Sequence, residues 1–336
     1  MNTIPLVSIL VTTYNQEAYI GKTLDSLLMQ VCPFDYEILI GEDCSTDQTR
    51  AICQKYAQNY PDKIRLFLNE KNKGLINNYF DLMEQAHGTF LADCGGDDCW
   101  LTTDKLSHQI MLLEEHPEVS LVCGNWQKYD QNSGALKTNM SGRSEDWFKP
   151  GYEGLVAVKD YLNECDFPRV VLGTSLFRND WMKEMMIRYR VLFRGEKIVC
   201  EDLPMTLCLL LKGPVYMMKE QLMVYRVLEK SSSHSESLKD FSYPVFLQTL
   251  ELASVLGLSI NELGPYVKKS LLNLVFSAFE TNDKEWMIQI AKDLKKFGIK
   301  LSFKQSIQYL STLNQWIHGL VFNTYRLSKC KRVCTK

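Results

Sequence analysis

Two adjacent aspartates, Asp97 and Asp98, follow a pair of glycines in the segment DCGGDDCW at residues 93–100. Neighbouring carboxylates repel each other and glycine weakens a strand, so a purely structural role for this segment is costly. A divalent cation removes the repulsion, because Mg²⁺ or Mn²⁺ binds through one or two carboxylates while water and substrate phosphate complete the shell. We therefore predict a divalent metal site here, with an acidic turn as the alternative.

Two other polar segments are candidates for nucleotide binding. The first, TTYNQ at residues 12–16, has no glycine, whereas dinucleotide-binding and phosphate-binding loops both place glycines at this position. Hydroxyl and aromatic groups there can hold a base and a ribose instead. In the second, EDCSTD at residues 42–47, Asp43 can accept a hydrogen bond from a base N–H or a ribose hydroxyl. The alternative is a plain turn with helix caps at Ser45 and Asp47.

All three segments follow short apolar runs that alternate with helical patterns. The pattern predicts strands at 6–13, 36–41, 64–68, 89–94 and 119–124, and helices at 16–29, 45–59, 75–86 and 105–115. This alternation is typical of βαβ units that build a mostly parallel sheet. The candidate segments then lie at the carboxyl ends of strands, where open α/β sheets bind their ligands.

The chain after residue 125 follows a different pattern. It predicts a loop at 127–154, a helix at 152–165, a strand at 173–177, a helix at 202–212, a hairpin at 215–225 and helices throughout 241–322. The helical prediction for the last segment comes from apolar residues at intervals of three and four. We therefore expect three parts, at residues 1–125, 126–238 and 239–336.

Four segments together resemble the family 2 glycosyltransferases, which have the GT-A fold. They are VSILVTTYNQ, ILIGEDCSTDQT, the NKG at residues 72–74, and FLADCGGDDCW, the last being closest to a subgroup that reads EGDDYW. The resemblance implies an α/β fold of GT-A type, with a Rossmann-like, mostly parallel sheet flanked by helices and an all-helical C-terminal appendage. It assigns residues 1–125 to donor binding and residues 126–238 to the acceptor side and the catalytic base.

The same resemblance implies roles for individual residues. Contacts to the donor nucleoside, usually uridine, are implied for Thr12, Tyr14 and Asp43. Asp97 would bind the Mn²⁺ or Mg²⁺ that bridges the donor diphosphate, with Asp98 beside it at the donor. This sequence departs from the family at Gly95, where an acidic residue is expected. A weaker or water-rich metal shell is the consequence.

Two downstream segments extend the resemblance. VCEDLP resembles the ED element of the family, whose aspartate is the general base, and this implies that Asp202 is catalytic. LMVYRV and the SSSH after it resemble a segment beside the donor phosphates, which implies phosphate contacts for Arg226 and His234. A charged first helical turn, favoured by the helix dipole, is the alternative for Glu201 and Asp202.

The implied reaction transfers a sugar from a nucleotide-sugar donor, expected to be a UDP-sugar, to a saccharide or lipid-linked saccharide in surface polysaccharide biosynthesis. One base without a protein nucleophile implies a single displacement and hence inversion at the anomeric carbon. Two alternatives stay open. Gly95 suggests a non-catalytic nucleotide-sugar or glycan-binding protein, and paired acids on an α/β sheet also occur in nucleotidyltransferases, which normally carry a basic, glycine-rich first loop.

Composition sets limits on partners and location. A net charge of −2 disfavours nucleic-acid binding, which requires a basic face. The eleven cysteines form no CxxC pair and the N-terminus lacks a signal-peptide pattern, so we expect a cytoplasmic protein with reduced thiols. A basic tail at 326–336 follows an apolar stretch at 316–322. Such a tail is most often a solvated chain end, and the alternative is peripheral contact with anionic lipid at the inner membrane face.

Overall fold

In a computed structural model of the chain, the described residues are 4–138, 154–156, 170–194, 198–228, 238–259, 263–314, 317–318 and 321–322. The chain divides into two compact units, Met1–His234 and Ser235–Lys336. The first unit contains the sheet and the described candidate site residues, and the described part of the second unit is helical.

A ten-stranded sheet forms the centre of the first unit. Its strands are β1 (Val7–Thr13), β2 (Tyr36–Glu42), β3 (Ile64–Leu68), β4 (Phe90–Asp93), β5 (Cys99–Trp100), β6 (Leu121–Asp130), β7 (Leu136–Thr138), β8 (Gly154–Val156), β9 (Leu176–Arg178) and β10 (Val215–Val227). Their order is β3-β2-β1-β4-β9-β6-β10-β5, with β7 beside β6 and β8 beside β10. The first four strands of this order are mutually parallel, while β9 runs antiparallel to both its neighbours.

Helices flank this sheet. They are α1 (Ile20–Leu28), α2 (Thr49–Asn59), α3 (Leu75–Glu84), α4 (Lys105–Glu115), α5 (Asn179–Arg188) and α6 (Asp202–Lys212). Every residue of β1 and β2 is buried, as expected for parallel strands covered on both faces. The buried residues Ile20, Leu24 and Leu27 of α1 belong to the same apolar core as these strands. The predicted α/β class, with a mostly parallel sheet flanked by helices, is confirmed.

The predicted hairpin at 215–225 is wrong, because this segment is the single long strand β10. Its pairing with β6 shifts register between Met217, Gln221 and Met223, and the strand also pairs antiparallel with β8 and β5. The polar residues Lys219 to Gln221 look like a turn in the sequence. They lie instead at an irregularity where the strand continues.

Other elements differ from their predictions near residues 127–188. β6 continues to Asp130 and turns back into β7 through part of the predicted loop. Residues 154–156, predicted to be helical, form β8, and the rest of the predicted helix at 157–165 lies outside the described residues. The strand predicted at 173–177 begins as a 3₁₀ turn, Leu172–Thr174, before β9. Neither β5 nor α5 was predicted.

The second unit is helical, as predicted. After a π-helical turn at Leu238–Ser242 come α7 (Tyr243–Leu256), α8 (Gly264–Glu280), α9 (Lys284–Lys296) and α10 (Phe303–Leu313). Gly257 ends α7 in the left-handed conformation that favours glycine, with φ of 72°. Among the described residues, no helix is long and apolar enough to cross a membrane.

Candidate functional site

The loops after β1 and β2 hold each other in place at the carboxyl edge of the sheet. The backbone N–H of Asn15 donates to Ser45 Oγ (3.0 Å), and Asn15 Oδ1 accepts from the backbone N–H of Thr46 (2.8 Å). Asn15 and Cys44 have φ values of 52° and 61°, which are uncommon for residues other than glycine. The two loops are therefore set in one specific geometry.

Asp47 extends this link. Its Oδ1 accepts the backbone N–H of Thr49 at the start of α2 (2.9 Å), and its Oδ2 accepts the N–H of Glu17 in the other loop (3.1 Å). Ser45, the other predicted cap, accepts from Asn15 instead of capping α2. The interpretation of these residues as plain helix caps thus explains only part of what they do.

Asp43 is buried and its carboxylate binds the NKG segment. Oδ1 accepts from Asn69 Nδ2 (2.8 Å) and from the backbone N–H of Lys73 (2.9 Å), while Oδ2 accepts the N–H of Gly74 (2.9 Å). The side chain of Asn72 also donates to the Asp43 carbonyl (3.2 Å). Asp43 thereby holds a neighbouring loop. The predicted nucleoside contact remains a prediction, for which a carboxylate retains acceptor capacity.

Thr12 and Tyr14, the other predicted nucleoside contacts, lie at the same edge. Thr12 is buried near the end of β1 and pairs with Gly41 in β2. Tyr14 is 44% exposed. The structure therefore pairs Thr12 with Gly41, which lies two residues before Asp43, and leaves the Tyr14 ring accessible.

The GGDD loop packs directly on the end of β1. The N–H of Gly96 donates to the Thr12 carbonyl (3.1 Å), and Thr23 Oγ1 donates to the carbonyls of Gly96 (2.9 Å) and Asp98 (2.7 Å). A Cβ atom at Gly96 would overlap the side chains of Thr13 and Gln16. Glycine fits at this position because the side chains of Thr13 and Gln16 fill the space that a Cβ atom would occupy.

Arg226 of β10 supports the loop from the other side. Its N–H donates to Asp98 Oδ1 (2.8 Å) and its Nε donates to the Asp97 carbonyl (2.9 Å). The guanidinium lies over the rings of Tyr19 and Tyr129, with its carbon 4.9 and 5.2 Å from the ring centroids. Arg226 thus lies next to the predicted metal ligand, and its observed contacts position the loop. Its predicted contact with the donor phosphates stays a prediction.

The carboxylates at this loop lie in an unfavourable environment for negative charge. Burial and the neighbouring charge of Asp97 raise the pKa of Asp98 well above its ordinary value. Burial also raises the pKa of Asp97, although the charge of Arg226 opposes this shift. Asp93, at the end of β4, has its pKa raised to about 8 by burial, with the charge of Glu201 adding to the effect.

Glu201 and Asp202 begin α6, where burial raises the pKa of both carboxyl groups. The charges of Glu201 and Asp93 raise that of Asp202 further. Asp202 is in the first turn, as the helix-dipole interpretation requires, and the side chain of the N-cap residue Glu201 makes no capping hydrogen bond. Since the charge of Asp93 acts on both Asp98 and Asp202, it links the GGDD loop electrostatically to the predicted base.

Two buried residues of this region were missed from the sequence. The Tyr79 hydroxyl has no hydrogen-bond partner among the described residues, and burial and the charges of nearby acids raise its pKa. Lys105 is fully buried with its Nζ 4.0 Å from the centroid of the Trp100 ring, and burial lowers its pKa to about 7. Lys105 donates to Gln109 Oε1 (2.8 Å) and the Ser175 carbonyl (3.2 Å). In the sequence, both residues look like ordinary positions in predicted helices.

Some predicted features are not seen among the described residues. The described part of the chain contains no group of three or more His, Cys, Asp or Glu side chains that could hold a metal ion. Among these residues, a metal at Asp97 would have fewer than three such side chains to bind it. His234 and the basic tail at 326–336 lie outside the described residues.

A known protein family matches the part of the chain that forms this sheet edge. The model of glycosyl transferase family 2 matches residues 8–171, from β1 to just before the 3₁₀ turn that precedes β9. Residues 8–171 belong to glycosyltransferase family 2. The family 2 segment includes the GGDD loop and both loops that interlock beside it. Asp202 and Arg226 lie beyond it, so their placement rests on the geometry above.

Relatives share this family 2 segment. An uncharacterized protein of Mycobacterium tuberculosis is 41% identical over 115 residues, covering 34% of this chain and 33% of that protein. Escherichia coli WfgD, named as a UDP-Glc:α-D-GlcNAc-diphosphoundecaprenol β-1,3-glucosyltransferase, is 31% identical over 128 residues, covering 38% of this chain and 48% of that protein. The chain thus spans a third to a half of the length of these relatives.

Solved structures share the fold over most of the chain. Staphylococcus aureus TarS in complex with UDP-GlcNAc has a TM-score of 0.61 at 18% identity, covering 87% of this chain and 80% of that chain. Mannosyltransferase PcManGT from Pyrobaculum calidifontis, in complex with GDP-Man and Mn²⁺, has a TM-score of 0.53 at 14% identity, covering 95% and 87%. The predicted GT-A fold with C-terminal helices is therefore confirmed.

Proposed function

We propose that this family 2 protein is an inverting glycosyltransferase, which moves a sugar from a UDP-sugar to a saccharide or lipid-linked saccharide in surface polysaccharide biosynthesis. The family match supports sugar transfer. TarS, which shares the fold, binds UDP-GlcNAc, and WfgD is named for a glucosyl transfer onto a diphosphoundecaprenol-linked sugar. A lipid-linked acceptor would place the reaction at the cytoplasmic face of a membrane.

One observation carries this proposal: acids with raised pKa values gather between the GGDD loop and the start of α6. Such groups concentrate at active sites, because chemistry needs charged groups in environments that folding alone would avoid. The cluster begins at the carboxyl end of β4, the edge at which open α/β sheets bind ligands. A binding module would need the loop but not the second acidic element.

Asp202 is proposed as the general base. A raised pKa makes its carboxylate a better proton acceptor near neutral pH, and a positioned base contributes about 10² to 10⁴ in rate. Asp202 would take the proton of the acceptor hydroxyl as its oxygen attacks the anomeric carbon. The nucleoside diphosphate departs from the opposite face in the same step, which inverts the configuration.

The residues of the GGDD loop fit a divalent cation held partly by the donor. Asp97 and Asp98 are two adjacent carboxyl groups whose charged forms are disfavoured, and a cation would relieve this cost. Asp98 Oδ1 already accepts the Arg226 N–H, so Asp97 is proposed as the main ligand. When bound, Mn²⁺ or Mg²⁺ would stabilise negative charge on the diphosphate.

We propose the same remaining donor contacts that the resemblance to family 2 implies. Thr12, Tyr14 and Asp43 would contact the nucleoside, and Arg226 and His234 the phosphates. Arg226 lies within hydrogen-bond distance of the GGDD loop, which supports its place near the diphosphate. Membership of the EGDDYW-like subgroup is part of the same proposal.

A panel of UDP-sugars with Mn²⁺, with and without lipid-linked saccharide acceptors, tests the proposed function. Release of UDP from one donor, accelerated by an acceptor, is the expected result. Metal-dependent donor binding without UDP release would favour the non-catalytic binding protein, to which the missing acid at Gly95 points. Pyrophosphate release from a nucleoside triphosphate would instead indicate a nucleotidyltransferase.

A further inference from the structure

Helix α10 of the second unit exposes its apolar side. Phe303, Ile307 and Leu310, which we call the α10 face, follow one another at intervals of four and three residues and so share one side of the helix. All three are exposed, Phe303 by 84% and Leu310 by 62%. An amphipathic helix in a water-soluble fold normally turns such a stripe toward the core.

The opposite side of α10 is polar and buried. Its buried residues are Gln305, Gln308, Ser311 and Thr312. The Ser311 and Thr312 hydroxyls donate to the Gln308 carbonyl (2.9 and 2.8 Å), whereas Gln308 Oε1 has no partner among the described residues. The rotation of the helix therefore leaves a buried polar atom unsatisfied while three large apolar side chains face outward.

A capping box fixes the start of α10. Ser302 and Gln305 form a reciprocal capping box, in which Ser302 Oγ accepts the N–H of Gln305 and Gln305 Oε1 accepts the N–H of Ser302 (2.9 Å). The helix packs beside α8 and α9 of the same unit. An exposed apolar stripe on an anchored helix is typical of a surface that a partner covers.

The charge of the surrounding chain indicates which kind of partner covers the α10 face. Residues 294–314, which include α10, contain four lysines and no Asp or Glu, although the whole chain has a net charge of −2. A second copy of this chain would bring two positive segments together, which is unfavourable. An anionic lipid surface offers both an apolar boundary for the α10 face and negative charge for the basic residues.

We propose that the α10 face inserts into the interface of an anionic lipid bilayer and anchors the protein there. Phe303 and Leu310 supply the apolar contact, and the exposed lysines Lys295, Lys296, Lys300 and Lys304 supply the electrostatic attraction. The α10 face is distinct from the basic tail at 326–336, because it consists of described residues of one helix. Membrane binding through this face does not depend on catalysis and is therefore tested separately from the proposed function.

Vesicle flotation with the full chain tests this proposal. Vesicles of phosphatidylcholine with phosphatidylglycerol are compared with vesicles of phosphatidylcholine alone, at low and high salt. The double variant F303Q/L310Q removes the apolar contact without touching the buried side. The matched control is I187Q/V191Q in the first unit, since Ile187 and Val191 are exposed by 82% and 67%.

Binding of the wild type to the anionic vesicles should be salt-sensitive and stronger than its binding to neutral ones. F303Q/L310Q should lower the partition coefficient at least about tenfold, because each buried apolar side chain contributes to interfacial binding. I187Q/V191Q should bind like the wild type, with circular dichroism confirming that all variants are folded. Equal binding of F303Q/L310Q and the wild type, or no vesicle binding by the wild type, would overturn the proposal. Concentration-dependent self-association that F303Q/L310Q abolishes would assign the face to a second copy instead.

Discussion

Two groups of acidic residues share one edge of the sheet and have opposite environments. The hydrogen-bonded acids are Glu42, Asp43 and Asp47, which follow β2. The crowded acids are Asp93, Asp97, Asp98, Glu201 and Asp202, which follow β4 or begin α6. The first group accepts several donors from neighbouring loops. In the second, burial raises every pKa, and most members are close enough to other acids to repel them.

The hydrogen-bonded acids hold loops together, whereas the crowded acids have the properties expected of a reaction centre. Asp43 and Asp47 connect loops, and hydrogen bonds lower the pKa of Asp47 although burial opposes the shift. The crowded acids gain little within the protein that would offset the cost of their charges. A bound cation or proton would lower the cost of these charges, and raised pKa values of this kind are concentrated at reaction centres.

Replacement of Asp202 should have the largest effect. D202N keeps the size of the side chain but cannot accept the acceptor proton, so turnover should fall by about 10² to 10⁴. Affinity for the UDP-sugar, measured by calorimetry, should stay the same. D180N is the matched control, because Asp180 is an exposed aspartate in the first turn of α5. If both variants retain wild-type turnover, Asp202 is only a helix-terminal charge.

Replacement of Asp97 should have the next largest effect. D97N removes the proposed metal ligand, and since a bound metal contributes several kcal/mol, turnover should fall on the order of 10²-fold. Titration of Mn²⁺ by electron paramagnetic resonance in the presence of UDP should show weaker binding. D104N, at an exposed aspartate before α4, serves as the control. Unchanged Mn²⁺ affinity in D97N would place the metal elsewhere.

The two acid groups should also differ in how pH affects stability. Asp93 has a pKa near 8 in the fold and an ordinary value of 3.8, so its ionisation destabilises the protein as pH rises between these values. D93N should remove that loss, becoming more stable than the wild type by a few kcal/mol, at most, toward pH 8. Urea unfolding across this pH range measures the difference.

Glu37, a hydrogen-bonded acid of β2 that belongs to neither group, should give the opposite sign in the same experiment. Burial would raise its pKa, but hydrogen bonds from Ser8, Arg65 and the N–H of His87 lower it below the ordinary 4.5. Its stabilising effect is therefore complete above this value and disappears as pH falls. E37Q should lose about 1 to 3 kcal/mol at pH 7. Parallel pH profiles for D93N and E37Q would refute the distinction between the two environments.

The smallest expected change comes from restoring an acid at Gly95. A Cβ atom there would lie 3.2 Å from Asp97 Oδ1 and 3.4 Å from Asp98 Oδ2, so a glutamate would join the crowded acids. G95E should raise Mn²⁺ affinity on the order of tenfold, because affinity follows the number of charged ligands. G95Q has the same shape without the charge. Equal affinities in G95E and G95Q would exclude a third carboxylate ligand.

Local patterns predicted the parallel half of the sheet well, because each strand and each following loop has a signature in consecutive residues. β1, β2 and β4, with the polar segments at their ends, were found in this way. The pattern failed for β10, whose polar centre resembles a turn but spans a change of partners. Strand pairing of this kind depends on residues about a hundred positions away.

The sequence by itself determined which chemical groups are available: carboxylates after strands, glycines where backbones must approach, and a basic, acid-free C-terminal segment. Only the tertiary structure decided how each group behaves. Asp43 became a loop connector because Lys73 and Gly74 turn their N–H groups toward it, whereas Asp93 and Asp202 became crowded because α6 begins near the end of β4. The same carboxyl group is stabilised or destabilised by its donors, its burial and its neighbours' charges, and these arise from contacts between distant parts of the chain.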